Sequence, residues 1–233
     1  MTKIKVCGIT NLEDALCAAR CGAYFLGFIF YKKSKRYVSP AKAASIIKAL
    51  PKKIIKVGVF VNEKLEIVKK IAKVCGLDLL QFHGDETPAY LNGFRGYKII
   101  KVVRVKDEAS LEHLKKYPCS IFLFDTFKKD KFGGTGEIFD WGFLKSLKAL
   151  KKPFIVSGGL SPENVGLLVR QVRPFGVDVS SGVEISPGKK DHQLIKKFID
   201  AVRQIKQNDL LQNESDSFCN IRLERKRWTS RNG

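Results

Sequence analysis

The sequence predicts a single (β/α)8 barrel, the TIM-barrel class of α/β fold, followed by a flexible C-terminal tail. Short apolar runs alternate with longer amphipathic segments from residue 3 to residue 206, and eight such pairs can be counted. Strict alternation of this kind predicts a parallel sheet with helices outside it, and eight pairs in 233 residues fit a closed barrel. An open, doubly wound sheet normally has fewer strands. Its dinucleotide-binding glycine signature is also missing after the first run, where Cys7-Gly8-Ile9-Thr10 stands.

Most of the predicted strands are rich in Ile, Val, Leu or Phe, as expected for strands buried on both faces. They span residues 3–7, 24–30, 54–61, 79–83, 98–103, 120–125, 153–157 and 175–180. Ser39-Pro40 and Ser161-Pro162 each place a capping residue before a proline, which is a typical helix start. The predicted helices span residues 11–20, 40–50, 63–74, 88–93, 108–116, 140–150, 162–170 and 191–206.

The character of the chain changes after Lys206. Residues 207–233 are polar, show no clear helical or strand period, and carry the basic run Arg225-Lys226-Arg227-Trp228. We therefore predict a catalytic barrel domain over residues 1–206 and a flexible tail over residues 207–233. A nucleic-acid or membrane-contacting arm is the alternative, but acidic residues at positions 209, 214, 216 and 224 interrupt the positive charge.

Composition restricts the class of protein. No uncharged apolar run is long enough to cross a bilayer, and the N-terminal residues alternate like a strand, unlike a signal peptide. The six cysteines form no Cys-x-x-Cys pair, so we expect free thiols, no metal site and a cytoplasmic location. The formal charge of +20 comes from lysines spread over most predicted helices. That pattern favours a generally basic surface first, attraction of an anionic small substrate second, and nucleic-acid binding a distant third.

Reactive side chains stand at the carboxyl ends of predicted strands, where barrel enzymes build their active sites. Cys7 ends the first strand, Asp125 ends the sixth, His83 ends the fourth and Asp178 lies in the eighth. A thiolate and a carboxylic acid on opposite sides of a substrate suit proton transfer. The structural alternatives are a small buried hydrophobe at Cys7 and a loop-bonded carboxylate at Asp125.

Two glycine-containing turns follow the last two strands. Ser157-Gly158-Gly159-Leu160 follows the seventh strand, and Ser180-Ser181-Gly182-Val183 follows the eighth. In barrels these loops often bind phosphate through backbone N–H groups and a helix N-terminus. A lone Gly-Gly pair would be weak evidence, but two such turns in these two positions indicate a phosphate site.

Two further loops could contribute to the site. Arg36 lies after the second strand, and its guanidinium could bind a carboxylate with two parallel hydrogen bonds, although a solvated basic loop is the alternative. Gly133-Gly134-Thr135-Gly136 lies in a long loop after the sixth strand. A loop of that length in a compact barrel suggests a lid over the site, or else a plain turn.

Taken together, these residues resemble the phosphoribosylanthranilate isomerase family of tryptophan biosynthesis. The resemblance runs in order from residue 3 to about residue 200, and only the set as a whole is specific. The matching segments are Lys5-Val6-Cys7-Gly8-Ile9-Thr10, Ser34-Lys35-Arg36-Tyr37-Val38-Ser39-Pro40, Val59-Phe60-Val61-Asn62, Gln81-Phe82-His83-Gly84, Asp125, Gly133-Gly134-Thr135-Gly136, Phe139-Asp140-Trp141, Ser157-Gly158-Gly159-Leu160-Ser161-Pro162-Glu163-Asn164-Val165, Asp178-Val179-Ser180-Ser181-Gly182-Val183-Glu184, Pro187-Gly188 and Lys190-Asp191.

The resemblance implies an Amadori rearrangement of a phosphorylated ribosylamine without a cofactor. By position, Cys7 matches the family's general base and Asp125 its general acid, while Arg36 matches the residue that holds the anthranilate carboxylate. Asp178 matches a ribose-contacting carboxylate, and His83 is counted among the substrate-binding residues. The phosphate site matches Gly158, Gly159, Ser180, Ser181 and Gly182. The implied partner is a small phosphorylated molecule, not a nucleic acid or a membrane, and the chain is expected to be a monomer or a homodimer.

Three points stay open at this level. Free cysteine has a pKa of about 8.5, so a base at Cys7 needs help. Strand alternation puts Lys5 on the same side as Cys7, and we hypothesise that Lys5 points inward, pairs with Asp178 or Asp125, and supports the thiolate. The tail beyond Lys206 departs from the family. The nearest rival is another phosphosugar isomerase or lyase on the same barrel.

Overall fold

A computed structural model describes residues 1–104, 114–125 and 152–209. Within these ranges eight parallel strands close a barrel in which each strand pairs with the next along the chain and the eighth returns to the first. The strands are β1 Lys3–Cys7, β2 Phe25–Ile29, β3 Ile55–Phe60, β4 Leu79–Phe82, β5 Lys98–Arg104, β6 Ile121–Asp125, β7 Phe154–Ser157 and β8 Gly176–Val179. The predicted (β/α)8 fold is confirmed.

Helices lie between strands in the described part of the chain. They are α1 Leu12–Cys21, α2 Pro40–Lys48, α3 Leu65–Cys75, α4 Pro88–Leu91, α5 Val165–Val172 and α6 His192–Asp209. A short 3-10 turn, Asn92–Phe94, continues α4. The predicted helix at 140–150 and most of the one at 108–116 fall outside the described residues, and residues 114–116 form a 3-10 turn.

Helix starts follow the capping signals in the sequence, with one shift. Asn11 caps α1 by accepting a hydrogen bond from the Asp14 amide, and Ser39 caps α2 in the same way. After Ser161-Pro162, however, the helix begins only at Val165. The Asn164 carboxamide accepts the Ser161 N–H, which forms a local turn that delays the helix.

The C-terminal helix is longer than predicted. Helix α6 runs to Asp209, three residues past the predicted end at Lys206, and residues 210–233 lie outside the described part of the chain. The predicted tail therefore begins no earlier than residue 210, and its flexibility stays a prediction.

Apolar side chains fill the lower part of the barrel, and polar ones replace them toward its carboxyl end. The interior cluster consists of Phe25, Val57, Leu79, Ile100, Val102, Ile121, Leu123 and Ile155. A larger cluster packs the outer faces of the strands against the helices. Lys5, Gln81 and Asp178 are also buried, and Lys5 lies beside Asp178 in the strand register. This polar layer is the floor of the barrel mouth.

A small hairpin that the sequence analysis did not predict covers one side of the mouth. It pairs β9 Glu184–Ser186 with β10 Lys189–Lys190, and Gly188 at its turn has φ +84°. The Thr10 hydroxyl donates a hydrogen bond to the Gly188 carbonyl, which fastens the hairpin to the loop after β1. Pro187-Gly188 is a typical turn pair, so a signal for the hairpin was present in the sequence.

A buried ion pair holds the loop after β4. The Lys101 ammonium donates to the Gly84 carbonyl at 2.6 Å and to Glu86 Oε2 at 2.8 Å. The other Glu86 oxygen accepts the Asn62 N–H at 2.9 Å. Both charged side chains are almost fully buried, so each depends on the other for compensation. The loop that carries His83 is thereby tied to β5 and to the loop after β3.

Replacing Lys101 with Met should destabilise the fold by about 3–5 kcal/mol, because Glu86 would stay buried without its counter-charge. Urea unfolding followed by circular dichroism measures this change. The matched control is Lys70→Met on the exposed side of α3, which should change the free energy of unfolding by less than about 0.5 kcal/mol. Equal stabilities for the two variants would show that the ion pair does not hold the loop.

Candidate active site

The predicted site residues meet at the carboxyl end of the barrel. Cys7 is the last residue of β1 and Asp125 the last of β6. His83 directly follows β4, and Asp178 lies one residue before the end of β8. Because all eight strands are parallel, these side chains lie around one mouth.

Lys5 and Asp178 form an ion pair across the seam where β8 closes onto β1. Lys5 Nζ lies 2.8 Å from Asp178 Oδ2, and the Lys5 side chain is fully buried. Although burial favours the neutral amine, Asp178 and then Cys7 keep the pKa of Lys5 above its usual range. The second oxygen, Asp178 Oδ1, is buried and has no hydrogen-bond partner among the described residues. A buried carboxylate oxygen needs a donor, so this atom is suited to accept a substrate hydroxyl.

The environment of Cys7 corrects one part of the Lys5 hypothesis. Lys5 does point inward and does favour the thiolate, but burial outweighs it and raises the pKa of the Cys7 thiol above the ordinary value. Asp178 adds to the rise, whereas Lys190 opposes it together with Lys5. The resting site therefore favours the thiol at neutral pH, and forming the thiolate requires further positive charge near the sulfur.

His83 and Asp125 stand on the other side of the mouth. His83 Nε2 lies 3.5 Å from Asp125 Oδ2, and both side chains are partly exposed to solvent. His83 also lies close enough to Asp178 to favour its ionised form, although burial dominates and raises the pKa of Asp178. Charged and polar groups from β1, β8, β4 and β6 thus form a continuous series across the mouth.

Gly27 is a functional position that the sequence analysis missed. It lies opposite Cys7 in the strand register, and a Cβ atom at position 27 would stand only 2.6 Å from Cys7 Sγ. The missing side chain makes room for the sulfur. A glycine inside the apolar strand Phe25–Ile29 was the available signal, because strand glycines often mark a close approach.

Arg36 is held by a carboxylate that was not predicted to take part. Its Nε lies 2.8 Å from Glu184 Oε1, and its Nη2 lies 2.6 Å from Glu184 Oε2. The hydrogen bonds that Arg36 donates to Glu184 raise the pKa of Arg36. Burial favours a neutral Glu184, yet the hydrogen bonds from Arg36 and Lys190 keep its pKa below the usual range. Arg36 also passes over Gly8, where a Cβ atom would come within 2.7 Å of Arg36 Cδ. The aliphatic part of the Arg36 side chain therefore lies beside the residue that follows Cys7.

Lys190 connects three parts of the site. It stands in the segment Lys190-Asp191 that matches the family, but no role was predicted for it. Its buried ammonium donates to the Cys7 carbonyl at 2.6 Å, to the Ser180 carbonyl at 3.1 Å and to Glu184 Oε1 at 2.8 Å. Its backbone N–H donates to Asp14, which also contacts the His192 ring. The ends of β1 and β8 and the hairpin are thus held by one side chain.

The two glycine turns predicted to bind phosphate lie against each other. Gly158 and Gly159 have φ values of +96° and +64°, a region that L side chains rarely adopt. A side chain at Gly182 would overlap the carbonyl oxygen of Leu160, so the turn after β8 packs directly onto the turn after β7. Ser181 and Gly182 begin a short 3-10 helix, Ser181–Val183, at this contact, and Ser180 precedes it. The structure therefore brings the predicted phosphate-site residues together.

The structure bears on the predicted glycine loop, metal ligands and membrane helices only within the described residues. The glycine loop at residues 133–136 lies outside the described residues. Within the described ranges, no three His, Cys, Asp or Glu side chains are arranged to hold a metal ion. None of the helices described is both long and apolar enough to cross a membrane.

Fold and site together define a class: a (β/α)8-barrel protein with titratable side chains and two touching glycine turns at the carboxyl end of its strands. The family model of N-(5'-phosphoribosyl)anthranilate (PRA) isomerase matches residues 4–201. A relative from Pelobacter propionicus, named N-(5'-phosphoribosyl)anthranilate isomerase, is 48% identical over 199 residues, covering 85% of this chain and 94% of that protein. The chain belongs to the phosphoribosylanthranilate isomerase family.

Solved structures agree with this assignment. The crystal structure of phosphoribosyl anthranilate isomerase from Thermotoga maritima aligns with a TM-score of 0.80 and 43% identity, covering 88% of this chain and 100% of that one. Another crystal structure of such an isomerase contains reduced 1-(o-carboxyphenylamino)-1-deoxyribulose 5-phosphate. It aligns with a TM-score of 0.78 and 41% identity over the same shares of the two chains.

The titration of Cys7 should reflect its burial. We expect its alkylation by iodoacetamide to rise with pH through a midpoint above about 8.5, the value for free cysteine. Lys5→Met should move the midpoint higher still, because the variant removes a cation that favours the thiolate and leaves Asp178 in place. Mass spectrometry of the Cys7 peptide at each pH measures the rate, with the half-buried Cys21 as internal reference. A midpoint unchanged by Lys5→Met would show that Lys5 does not stabilise the Cys7 thiolate.

Proposed function

We propose that this chain catalyses an Amadori rearrangement, an intramolecular oxidation–reduction that converts N-(5-phosphoribosyl)anthranilate to 1-(2-carboxyphenylamino)-1-deoxyribulose 5-phosphate in tryptophan biosynthesis. One observation carries the proposal: a thiol and a carboxyl at the ends of β1 and β6 share a barrel mouth with a guanidinium and two touching glycine turns. Family membership gives the same substrate and product.

In the first step Asp125 acts as general acid. As a carboxylic acid it donates its proton to the furanose ring oxygen while the bond from that oxygen to C1′ breaks. The nitrogen lone pair forms the C1′=N double bond, so the open-chain intermediate is a protonated Schiff base. His83 Nε2 lies 3.5 Å from Asp125 Oδ2, and in this proposal His83 contacts the same part of the substrate.

In the second step Cys7 acts as general base. Its thiolate removes the proton from C2′, and the electron pair moves into the C2′–C1′ bond and onto nitrogen, giving an enolamine. Protonation at C1′ and loss of the hydroxyl proton at C2′ then produce the ketone. The positive charge of the iminium group, beside Cys7, adds to Lys5 and Lys190 in favouring the thiolate that burial disfavours. The general base is therefore favoured only after the first step has occurred.

Three contacts position the substrate in this proposal. The glycine turns at 158–159 and 180–182 bind the phosphate through backbone N–H groups. The unpartnered oxygen of Asp178 accepts a ribose hydroxyl, and Arg36 binds the anthranilate carboxylate. Every step moves a proton between the substrate and a side chain or an electron pair within the substrate, so the reaction requires no cofactor. A small phosphorylated molecule is then the partner, the expected location is the cytoplasm, and monomer or homodimer both remain predictions.

Cys7→Ala and Asp125→Asn should each lower kcat by at least about a hundredfold, because each removes one proton-transfer group. Loss of substrate fluorescence measures the rate, and circular dichroism checks that the fold persists. Cys21→Ala and Asp200→Asn, on helices α1 and α6, are the matched controls and should retain the parent rate. Turnover by Cys7→Ala at the parent rate would refute the base assignment.

Arg36→Met should mainly raise KM, by roughly tenfold or more, with a smaller effect on kcat. The substrate carboxylate is present in both the ground state and the transition state. Losing its contact with Arg36 therefore weakens the binding of both states alike. Steady-state kinetics at several substrate concentrations separate the two constants. Lys33→Met, an exposed neighbour in the same loop, serves as control. A fall in kcat without a change in KM would place Arg36 in the chemical step instead.

A further inference from the structure

The hydrogen bonds of Arg36 determine which part of its guanidinium is available. Both Glu184 oxygens bind the edge formed by Nε and Nη2, at 2.8 Å and 2.6 Å. A guanidinium has five N–H donors, and this edge uses two of them. One donor on Nη1 and the second donor on Nη2 form an outer edge with the same spacing, and among the described residues only Glu184 accepts hydrogen bonds from this side chain. That edge fits a second carboxylate, and the side chain is 24% exposed.

Glu184 itself is fixed by Lys190. Its side chain is only 3% exposed, and Oε1 lies 2.8 Å from the Lys190 ammonium. The remaining hydrogen bonds of that ammonium go to the carbonyls of Cys7 and Ser180. Glu184 and Lys190 therefore fix the orientation of Arg36 relative to the proposed base and to the proposed phosphate turn. When a substrate binds at those two points, the guanidinium is already oriented toward the substrate carboxylate.

The charges of this group also fit one ligand carboxylate. Arg36 and Lys190 are two cations and Glu184 is one anion, so the buried group carries one net positive charge. A single carboxylate on the amine substituent would neutralise it. An uncharged aryl amine would leave the outer edge of Arg36 without an acceptor and would gain nothing from it.

We propose that Glu184 is a positioning residue. By holding Arg36 in a fixed orientation, it makes the site select substrates that carry a carboxylate on the amine substituent. This inference rests on the proposed function, in which Arg36 binds that carboxylate. Glu184 holds the guanidinium before the substrate arrives, so little conformational freedom is lost on binding. Without Glu184 the chain would accept carboxylated and uncarboxylated phosphoribosyl amines more equally.

The test compares two substrates that differ only in the carboxylate: the phosphoribosyl amine of anthranilate and that of aniline. For Glu184→Gln we expect KM for the anthranilate substrate to rise about tenfold or more, with kcat changed less than about threefold. The kcat/KM for the aniline substrate should stay within about threefold of the parent value. Gln keeps an oxygen that can accept from Lys190, which protects the fold. Glu66→Gln on the exposed face of α3 is the matched control.

A merely structural role for Glu184 predicts a different pattern. Equal losses on both substrates would overturn the inference, and so would no change on either. Inhibition by ribose 5-phosphate, which lacks the carboxylate, gives a readout independent of turnover and should be unaltered in Glu184→Gln. Weaker ribose 5-phosphate binding would show that the variant disturbs the phosphate turn and would also overturn the inference.

Arg36→Met on the same two substrates separates this inference from the proposed function. A selective loss on the anthranilate substrate in Arg36→Met but not in Glu184→Gln would refute the positioning role alone. Equal losses in Arg36→Met, or a parent chain that does not turn over the anthranilate substrate, would overturn both proposals. The selective loss in both variants supports both.

Discussion

The site depends on the ion pair between Lys5 and Asp178, which spans the seam where β8 closes onto β1. Two buried charges at 2.8 Å compensate each other and are hidden from water among strand side chains. Because the pair uses only one oxygen of Asp178, the other stays available at the floor of the mouth. The same ammonium lies next to Cys7 and makes its thiolate less costly. The same ion pair therefore both joins β8 to β1 and positions the charged groups of the site.

The barrel was predictable because strand burial, helix caps and strict alternation are local signals, each legible in a few residues. Cys7, Asp125 and His83 were found since barrel geometry brings strand ends to one face. Two other residues were missed because their contacts are distant in sequence. Lys190 reaches Cys7 across 183 positions, and Glu184 reaches Arg36 across 148. Both stand in segments that match the family, but the partner of each side chain cannot be read from the local pattern.

Burial and charge oppose each other at the proposed base. The sequence suggested that Lys5 would lower the pKa of Cys7, and its position in the structure agrees with that idea. Desolvation is nevertheless the larger effect, so the net pKa shift is upward. Burial cannot be read from one strand, because it depends on all eight closing around the sulfur. In the proposed mechanism the enclosed thiol also stays less reactive toward other electrophiles until a cationic intermediate forms beside it.

Gly27 has a consequence for how this mouth could be redesigned. The space for the Cys7 sulfur exists only because position 27 has no side chain, so the two positions form a single volume. A carboxylate of similar length could replace the thiol within that volume, whereas a longer one would press on β2. Replacing the reactive group at the end of β1 by a longer one therefore requires changes at both positions. If residue 7 alone is varied, only variants with short side chains should fold without displacing β2.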